Sequence, residues 1–384
     1  MPDLFQVLLF YLVAWAIIYI VGKALNAEKR GIIVQPFFLM LKTSFLNQRL
    51  GFISRKRERA WRIIWNLGVI LAFGQMAFIV YFLSQNLLEL VYRTPKATGM
   101  VLLLPGVTVS LDTLPYILAA LAVVLLSHEL AHAIASLTDD VPLKSAGLFF
   151  AVIFPGGFVE LDEEKLERSS LSTKLRVYSS GSSANIAVWL LVTLLFVNFA
   201  VTVSPLYTGP SGILVSGVIG EMGASKADIK KWDVIYAIDN QTISDVDQLS
   251  RFMSRIKPGT TLTLETSNGY VNVETRPHPQ NSTRALLGIY PFNNFEPRMS
   301  FLPRELPYHL YWTEYWMSVL LIWIAIFNTL PLNPLDGGKI IQSIVNSRSK
   351  KAAKIVRVCL DIVFLALVGL NLILSFTNFG FVRI

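Results

Sequence analysis

The chain has 384 residues, of which 53% are hydrophobic and 16% are charged, and its mean hydropathy is +0.52. This composition excludes an ordinary soluble protein of this size and indicates a chain that lies largely in a membrane. The net charge is +8, and the single cysteine, Cys359, excludes a framework of disulfide bonds within the chain.

Six apolar stretches are long enough to form membrane-crossing helices, which need about 20 residues each. They are residues 5–21, 63–82, 114–137, 184–203, 316–332 and 356–376. The first stretch lacks the basic segment and the small-residue cleavage site of a signal peptide, so we expect a retained helix. The predicted fold class is an α-helical polytopic membrane protein with about six transmembrane helices.

Lysine and arginine are concentrated in three connections between these stretches, residues 23–62, 144–176 and 339–357. The positive-inside rule places these connections in the cytoplasm and leaves both termini and the connections 83–113 and 204–315 outside. Because the basic clusters flank apolar spans, we expect membrane lipids with anionic headgroups as their partner. The sequence contains no nucleic-acid-binding motif, so no nucleic-acid partner is predicted.

Residues 31–46 are apolar, but the stretch is too short to cross a bilayer and is interrupted by Pro36 and Lys42. We expect it to lie along the membrane interface or to re-enter the bilayer.

The third span contains His128, Glu129 and His132 as an HELAH pentapeptide. Residues four apart lie on one face of a helix, so both imidazoles can bind one metal ion while Glu129 faces the same site. This pattern is the signature of zinc metalloproteases, and the alternative is a chance match or two hydrogen-bonded core histidines. Ionisable groups in a span cost about 2.5 to 3.5 kcal/mol each, so three within five residues favour a cation or a water-filled cavity.

Residues 145–161 are again apolar, but they contain Pro155, Gly156 and Gly157. Irregular backbone at membrane depth persists only when it is buried in protein or lines a cavity. We therefore predict a short hairpin or sheet edge near the metal site, with an ordinary interfacial loop as the alternative.

The long outer connection changes composition at residues 212–277, which are polar and have the length of one small domain. Alternating runs at 212–219, 232–239, 261–266 and 270–275 predict strands, and the patterns at 224–229 and 246–256 predict short helices.

These runs resemble a PDZ domain, with Trp232 where that family commonly has glycine before an aspartate. A PDZ domain adds a peptide to its sheet as a strand and binds the peptide's C-terminal carboxylate with a backbone loop. The resemblance makes four residues the peptide-binding candidates: Gly212, Ile213, Leu214 and Val215. A small β-rich spacer without a ligand is the alternative.

The fifth span leads into the sequence FNTLPLNPLDGGK, residues 327–339, in which Pro331 and Pro334 break the helix. Asp336 follows on the cytoplasmic side, where the HELAH half of the third span also ends. Asp336 can therefore join the two histidines on one metal ion and leave a fourth position open, as catalytic zinc sites require. A turn or N-cap role is the alternative for this aspartate. Asp361 stands alone in the last span, so we expect its removal to leave the metal bound.

At these residues the chain resembles the site-2 protease family of intramembrane zinc metalloproteases. The shared elements are HELAH, the Asn-x-x-Pro…Leu-Asp-Gly-Gly pattern that begins at Asn328, and a PDZ insertion between them. A third family element, Gly-Pro-x-x-Asn, is present as Gly181 to Asn185 with Ser182 in place of proline. The resemblance implies hydrolysis of peptide bonds in or near transmembrane segments of membrane-protein substrates, typically after another protease has trimmed them.

The resemblance also implies one Zn²⁺ per chain, held by His128, His132 and Asp336, with Glu129 as the general base. It places Asn185 and Asn328 in the site, where they could bind substrate or donate to the oxyanion. Polar contacts between helices account for these asparagines equally well. The broken segment 154–160 could pair with an unwound substrate as an edge strand.

The predicted organisation is four helices with the HExxH motif in residues 1–203, a PDZ-like domain in 204–280, and a linker with two helices and the LDGG motif in 281–384. We expect a prokaryotic cell membrane, with the active site toward the cytoplasm and the PDZ-like domain outside. A metal transporter would need ligands in several spans, and an inactive PDZ adaptor would tolerate loss of Glu129. A prenyl-protein-type HExxH protease would be expected to use glutamate as its third ligand.

Overall fold

The computed structural model describes residues 4–43, 45–152 and 154–380. These residues divide into two compact units, one made of the chain up to Val192 with the chain from Trp316 onward, and the other of Thr193–Tyr315. The first elements along the chain are α1 (Leu4–Ala24), a short 3₁₀ helix (Ala27–Arg30), β1 (Ile32–Gln35), β2 (Phe38–Thr43), α2 (Phe45–Lys56), α3 (Glu58–Val91), α4 (Leu114–Thr138), β3 (Leu143–Ala151), β4 (Phe154–Leu161), α5 (Glu163–Arg168) and α6 (Leu171–Val197).

The remaining elements are α7 (Phe199–Val203), β5 (Tyr207–Val218), α8 (Gly223–Lys226), β6 (Val234–Ile238), β7 (Gln241–Thr242), α9 (Val246–Met253), β8 (Thr261–Thr266), β9 (Gly269–Glu274), β10 (Arg276–His278), β11 (Asn281–Leu286), β12 (Ile289–Pro297), α10 (Leu306–Asn328), α11 (Asp336–Asn346) and α12 (Lys350–Phe379). Five described helices, α3, α4, α6, α10 and α12, are long and apolar enough to cross a membrane. The chain is therefore a helical polytopic membrane protein, as its composition predicts.

The helices are not bounded as the predicted spans are, and α1, α6 and α10 are the informative cases. The predicted span 5–21 lies in α1, where Leu9–Ala24 is a shorter apolar helix, and the count of six spans stays a prediction. α6 begins at Leu171, well before residue 184, because serines in its first half pack against a neighbouring helix: the Ser183 hydroxyl donates to the carbonyl of Gly68 on α3 at 3.0 Å. α10 begins at Leu306 and ends at Asn328, earlier than predicted at both ends.

Four antiparallel strands in the first unit form a sheet of order β1-β2-β3-β4. The segment 31–46 contributes β1 and β2, so much of it is a hairpin. The predicted hairpin at 145–161 is present as β3 and β4, with β4 at the edge of the sheet. Only glycine fits at position 156 of β4, because a β-carbon there would lie 2.0 Å from the ring of Phe149 on β3. The Trp15 indole of α1 donates to the carbonyl of Val152 at the hairpin turn, at 3.2 Å.

Within the second unit, residues 207–297 form a β-rich insert. Its main sheet has the order β12-β5-β6-β8-β9, with β7 paired to β6, and β10 and β11 form a separate pair. The strands predicted at 212–219, 232–239, 261–266 and 270–275 lie in β5, β6, β8 and β9, and the predicted helices lie in α8 and α9. Alternate residues of these strands, among them Ile213, Ile235 and Leu264, form a buried core with α8 and α9.

The insert continues beyond residue 280, the predicted end of the domain. Strand β12 pairs with β5 in antiparallel register, from Ile289 opposite Val218 to Pro297 opposite Tyr207. The prolines and asparagines of this strand interrupt the alternation by which strands are recognised in a sequence. The end of this pairing therefore brings residues 207 and 297, where the insert begins and ends, next to each other.

Trp232 has a left-handed backbone conformation, with φ of 77°. Glycine adopts this conformation without steric cost, which explains why glycine is common at this position of PDZ-like sequences. The Trp232 backbone N–H donates to the carbonyl of Val215 at 2.7 Å. Its ring lies 5.3 Å from that of Tyr308 and 5.5 Å from that of His309, between centroids. The side chain thus anchors the insert to the first turns of α10.

Candidate active site

The two histidines of the HELAH motif lie one helical turn apart on α4 and point to the same place. The Nε2 atoms of His128 and His132 are 3.1 Å apart, and the two residues are only 7% and 9% exposed. The spacing predicted from the sequence is therefore realised as a pair of converging nitrogen atoms.

Asp336 is the first residue of α11 and completes this cluster. Its Oδ2 atom lies 3.2 Å from Nε2 of both histidines. The first turn of α11 packs directly on the loop before it: a β-carbon at Gly337 would lie 2.0 Å from the carbonyl oxygen of Thr329, and one at Gly338 would lie 2.7 Å from that of Leu332. Two glycines in succession thus allow the aspartate to reach the histidines.

The donor set of this cluster fits a metal ion. His128, His132 and Asp336 each offer one ligand atom, and these atoms all lie within 4.8 Å of one another. The buried Oδ2 atom of Asp336 makes no well-aligned hydrogen bond with any described residue, although both Nε2 atoms lie 3.2 Å away. Such an atom is costly to bury unless it is paired or bound to a cation.

Gly181 on α6 forms a wall of the cluster. A β-carbon at this position would lie 2.5 Å from Cε1 and 2.6 Å from Nε2 of His128, and 2.6 Å from Nε2 of His132. Any side chain here would collide with both imidazoles, so only glycine leaves room for a shared ion.

A backbone carbonyl orients His132. Its Nδ1 atom lies 2.7 Å from the carbonyl oxygen of Val177 on α6, which requires a proton on Nδ1 and leaves Nε2 free to bind a metal. The Ser180 hydroxyl donates to the same carbonyl at 2.7 Å. This arrangement is the usual outer support of a metal-binding histidine.

An ion-pair network lies next to this contact. Nη2 of Arg176, the residue before Val177, is 2.6 Å from Oδ2 of Asp139, and Nε of Arg62 is 3.2 Å from Oδ1 of the same aspartate. Asp139 directly follows α4 and its side chain is 4% exposed. The network ties together α3, α4 and α6 close to the metal ligands.

The two candidate asparagines occupy different places. Asn185 is fully buried; its Oδ1 accepts from the hydroxyl of Ser127 at 2.7 Å, and its Nδ2 lies 3.5 Å from Nδ1 of His128. Asn328, at the end of α10, lines the cavity that contains the histidines and Asp336. Asn185 therefore contacts a metal-ligand candidate, whereas Asn328 faces the space that a substrate could occupy.

The cluster opens into a cavity of about 360 Å³, which Glu129 also lines. Strand β4 passes beside this glutamate: a β-carbon at Gly157 would lie 3.2 Å from Cγ of Glu129. The predicted base and the predicted sheet edge thus meet at the same cavity.

A second cavity of about 960 Å³ adjoins the first, and both are lined by Phe158, Tyr178 and Lys339. Its walls carry both signs of charge, and Nζ of Lys339 lies 3.7 Å from Oδ1 of Asp336. Hydrogen bonds from Lys42 and Ser145 lower the pKa of Glu160 in its wall. The larger cavity is a polar antechamber to the smaller one.

The prediction that Gly212 to Val215 form a carboxylate-binding loop of the insert is wrong. Gly212, Ile213, Leu214 and Val215 lie in the interior strand β5, between β12 and β6, and the last three are at most 1% exposed. The alternating pattern identifies them as a strand but does not reveal which strand is at the edge. The edge strands are β12 and β9, and the first residues of β12 border a cavity of about 260 Å³ with Leu249 and Ser250 of α9.

Val177 and Ser180 escaped the prediction of site residues, and Gly181 entered it only as the first residue of the element Gly181 to Asn185. A carbonyl contact has no side-chain signature, so Val177 could not be found from its residue type. The run SSGSSAN, residues 179–185, did carry a signal, because small residues in a membrane helix allow close approach of a neighbouring helix.

One family model and several known proteins are similar to this chain. The model of peptidase family M50 matches residues 116–370. An uncharacterized protein of Methanocaldococcus jannaschii is 24% identical over 339 residues, which are 86% of this chain and 83% of that protein. A membrane-bound transcription factor site-2 protease homologue of Arabidopsis thaliana is 26% identical over 181 residues, which are 46% of this chain and 35% of that protein.

Two solved structures are similar to part of the chain. One is the PDZ domain of the SdrC-like protein of Listeria monocytogenes, with 16% identity and a TM-score of 0.20, over 21% of this chain and 87% of that one. The other is a Geobacillus thermodenitrificans protein solved in solution, with 21% identity and a TM-score of 0.19, over 21% of this chain and 95% of that one. The family match, in contrast, spans most of the chain and includes His128, His132 and Asp336. The chain belongs to peptidase family M50, the family of the site-2 proteases.

Proposed function

We propose that the protein is an intramembrane zinc metalloprotease that hydrolyses peptide bonds in or near transmembrane segments of other membrane proteins. The observation that carries this proposal is the convergence of His128, His132 and Asp336 in a cavity that Glu129 also lines. Two imidazoles and one carboxylate, with room beside them, are the ligand set of a catalytic zinc site.

The residues around the cavity divide the chemistry between them. Bound zinc would polarise the scissile carbonyl group and make water a stronger nucleophile. Glu129 takes the proton from the attacking water and delivers it to the leaving amine. Asn328 donates a hydrogen bond to the oxygen on which negative charge develops, while Asn185 packs against the ring of His128.

The substrate must lose its helical hydrogen bonds before its amide can reach Glu129. We propose that it pairs with β4, the edge strand beside the cavity, as an added strand. The polar antechamber then receives the unwound chain next to the cleavage site.

The decisive experiment replaces the base. Glu129→Gln should keep stoichiometric zinc but lower the rate of peptide cleavage by a factor of about 10² to 10⁴, because only the proton transfer is removed. Glu164→Gln, on the exposed face of α5, is the matched control and should cleave normally. Zinc content and cleavage of a single-span substrate are measured on the same purified samples, with and without a chelator. Normal turnover of zinc-loaded Glu129→Gln protein would sink the mechanism.

We propose that the PDZ-like insert binds peptide C-termini, including those that another protease exposes by trimming a substrate. The edge strand β12 and the cavity beside α9 support this proposal. Ser250→Trp should fill that cavity and weaken binding of C-terminal peptides, whereas Ser254→Trp, outside the cavity lining, should not. Equal binding by both variants would contradict it.

We propose that the insert selects substrates and takes no part in peptide-bond hydrolysis. The insert begins and ends at paired residues, so residues 208–296 can be replaced by a short linker. The shortened protein should still cut a minimal transmembrane peptide while its choice among full-length and trimmed substrates changes. A folded deletion protein that no longer cuts the minimal peptide would show a catalytic or structural role of the insert.

We propose a prokaryotic cell membrane as the location, with the insert outside and the active site toward the cytoplasm. The distribution of lysine and arginine supports this orientation. In a Cys359→Ser background, a membrane-impermeant thiol reagent applied to intact cells should label a cysteine at Ser267 and spare one at Ser170. The opposite labelling pattern would reverse the orientation.

A further inference from the structure

We infer that Asp361, in the middle of α12, is a positioning residue for Asp336, the third metal-ligand candidate. The inference rests on the proposed function, since it assigns a task in holding zinc. It also revises the expectation from the sequence that removing Asp361, the one acidic side chain within α12, leaves the metal affinity unchanged.

Asp361 binds the loop that delivers Asp336. Its Oδ1 atom accepts a hydrogen bond from the backbone N–H of Asn333 at 2.8 Å and lies 3.3 Å from the side-chain amide of the same residue. Asn333 stands three residues before Asp336, between the two prolines that break the chain after α10. A carboxylate acceptor gives a stronger bond to a backbone N–H than a neutral group does.

The nearest charge does not explain the presence of Asp361. Nε of Arg357 lies 3.7 Å from Oδ2, and the side chains of Arg357 and Asp361 are 49% and 24% exposed. A long and solvated pair of this kind contributes little to stability. An ionisable residue in a membrane helix usually serves a functional site, and the contact with Asn333 points to one.

Close packing transmits this contact to the ligand. A β-carbon at Gly338 would lie 2.8 Å from the backbone nitrogen of Asn333, the atom that Asp361 binds. The loop and the first turn of α11 therefore touch without an intervening side chain, and the loop cannot shift without moving Asp336. Metal ligands tolerate displacements of only about 0.2 Å, so a small shift of the loop would weaken the site.

The test measures how tightly zinc is held, independently of cleavage. Asp361→Ala should weaken zinc affinity about 10- to 100-fold, the usual effect of losing an outer support of a metal ligand, and should speed release of zinc to a chelator. Asp361→Asn keeps an oxygen acceptor and should stay within about threefold of the wild type. Arg357→Gln, which removes only the ion pair, is the matched control and should also stay near the wild type. At saturating zinc, Asp361→Ala should lose kcat while KM changes little.

Each outcome decides a separate question. Wild-type affinity in Asp361→Ala protein overturns the inference, and so does Asp361→Asn protein that is as weak as Asp361→Ala. If Asp361→Ala does not fold, Asp361→Glu keeps the charge but displaces the oxygen, and unchanged zinc affinity in that variant overturns the inference as well. A wild-type protein that binds no zinc or cuts no substrate contradicts the proposed function instead.

Discussion

The histidines and the aspartate reach the same point by different means. His128 and His132 are placed by a regular helix, in which a spacing of four residues already aligns their side chains. Asp336 follows a broken loop and is placed by tertiary contacts: glycines packed on backbone and a hydrogen bond that the loop donates to Asp361 on a distant helix. One half of the site is therefore encoded locally, and the other half depends on how the chain folds around it.

The largest expected effect comes from closing the space that both halves share. Gly181→Ala should abolish zinc binding, because its methyl group would lie 2.5 to 2.6 Å from ring atoms of both histidines. Alanine is the better helix former by about 1 kcal/mol, so the helix itself should not suffer. Gly74→Ala on α3, where a β-carbon meets nothing within 4 Å, is the control. Metal analysis decides it, and a zinc-loaded Gly181→Ala protein would refute this geometry.

A smaller effect is expected when only the loop-borne ligand is displaced. Gly337→Ala should push the first turn of α11 away from Thr329 and reduce zinc affinity at least about tenfold, leaving the weaker site of two histidines. Gly369→Ala, in open space on α12, should bind zinc normally. Competition with a chromogenic chelator measures both, and equal affinities would mean that the loop adapts without moving Asp336.

The smallest effect on the metal is expected from the ion-pair network, which acts mainly on stability. Arg176→Gln leaves Asp139 buried without its closest partner and should lower the free energy of unfolding by about 3 kcal/mol. Arg168→Gln breaks a pair whose side chains are 83% exposed and should cost no more than about 0.5 kcal/mol. Thermal unfolding in detergent compares them, and similar melting temperatures would show that the network does not hold the helices together.

The difference between locally encoded residues and residues placed by tertiary contacts also explains what the sequence could predict. The ligand candidates His128, His132 and Asp336 and the base Glu129 lie in short motifs whose chemistry is legible from residue type and spacing, and the structure brings the three ligands together. The supports of these residues are a carbonyl, a glycine wall and a carboxylate from another helix, and only the glycine lies in a local pattern, the run of small residues 179–185. Asp361 in particular has only Arg357 nearby in the sequence, and its contact with Asn333 comes from the fold.

The sheet of the insert also shows that local patterns in the sequence do not reveal contacts between distant segments. Alternation and periodicity, which are local properties, predict the strands β5, β6, β8 and β9 and the helices α8 and α9. The choice of Gly212 to Val215 as a peptide-binding loop was wrong because the position of a strand within a sheet depends on later segments of the chain. Strand β12 follows β5 by about seventy residues, a separation on the scale of a small domain. It pairs with the side of β5 that would otherwise be the edge of the sheet.

If a substrate pairs with β4 as proposed, the free edge of this strand has a further consequence for which substrates can be cut. In hydrocarbon, each backbone group that loses its hydrogen bond costs several kcal/mol, so the step from helix to extended chain dominates the energy of substrate entry. A strand edge compensates for that loss through main-chain groups that every amino acid has except proline. We therefore expect the enzyme to discriminate among membrane segments by how readily they uncoil, with glycine-rich or β-branched stretches preferred, and only weakly by the side chains that flank the broken bond.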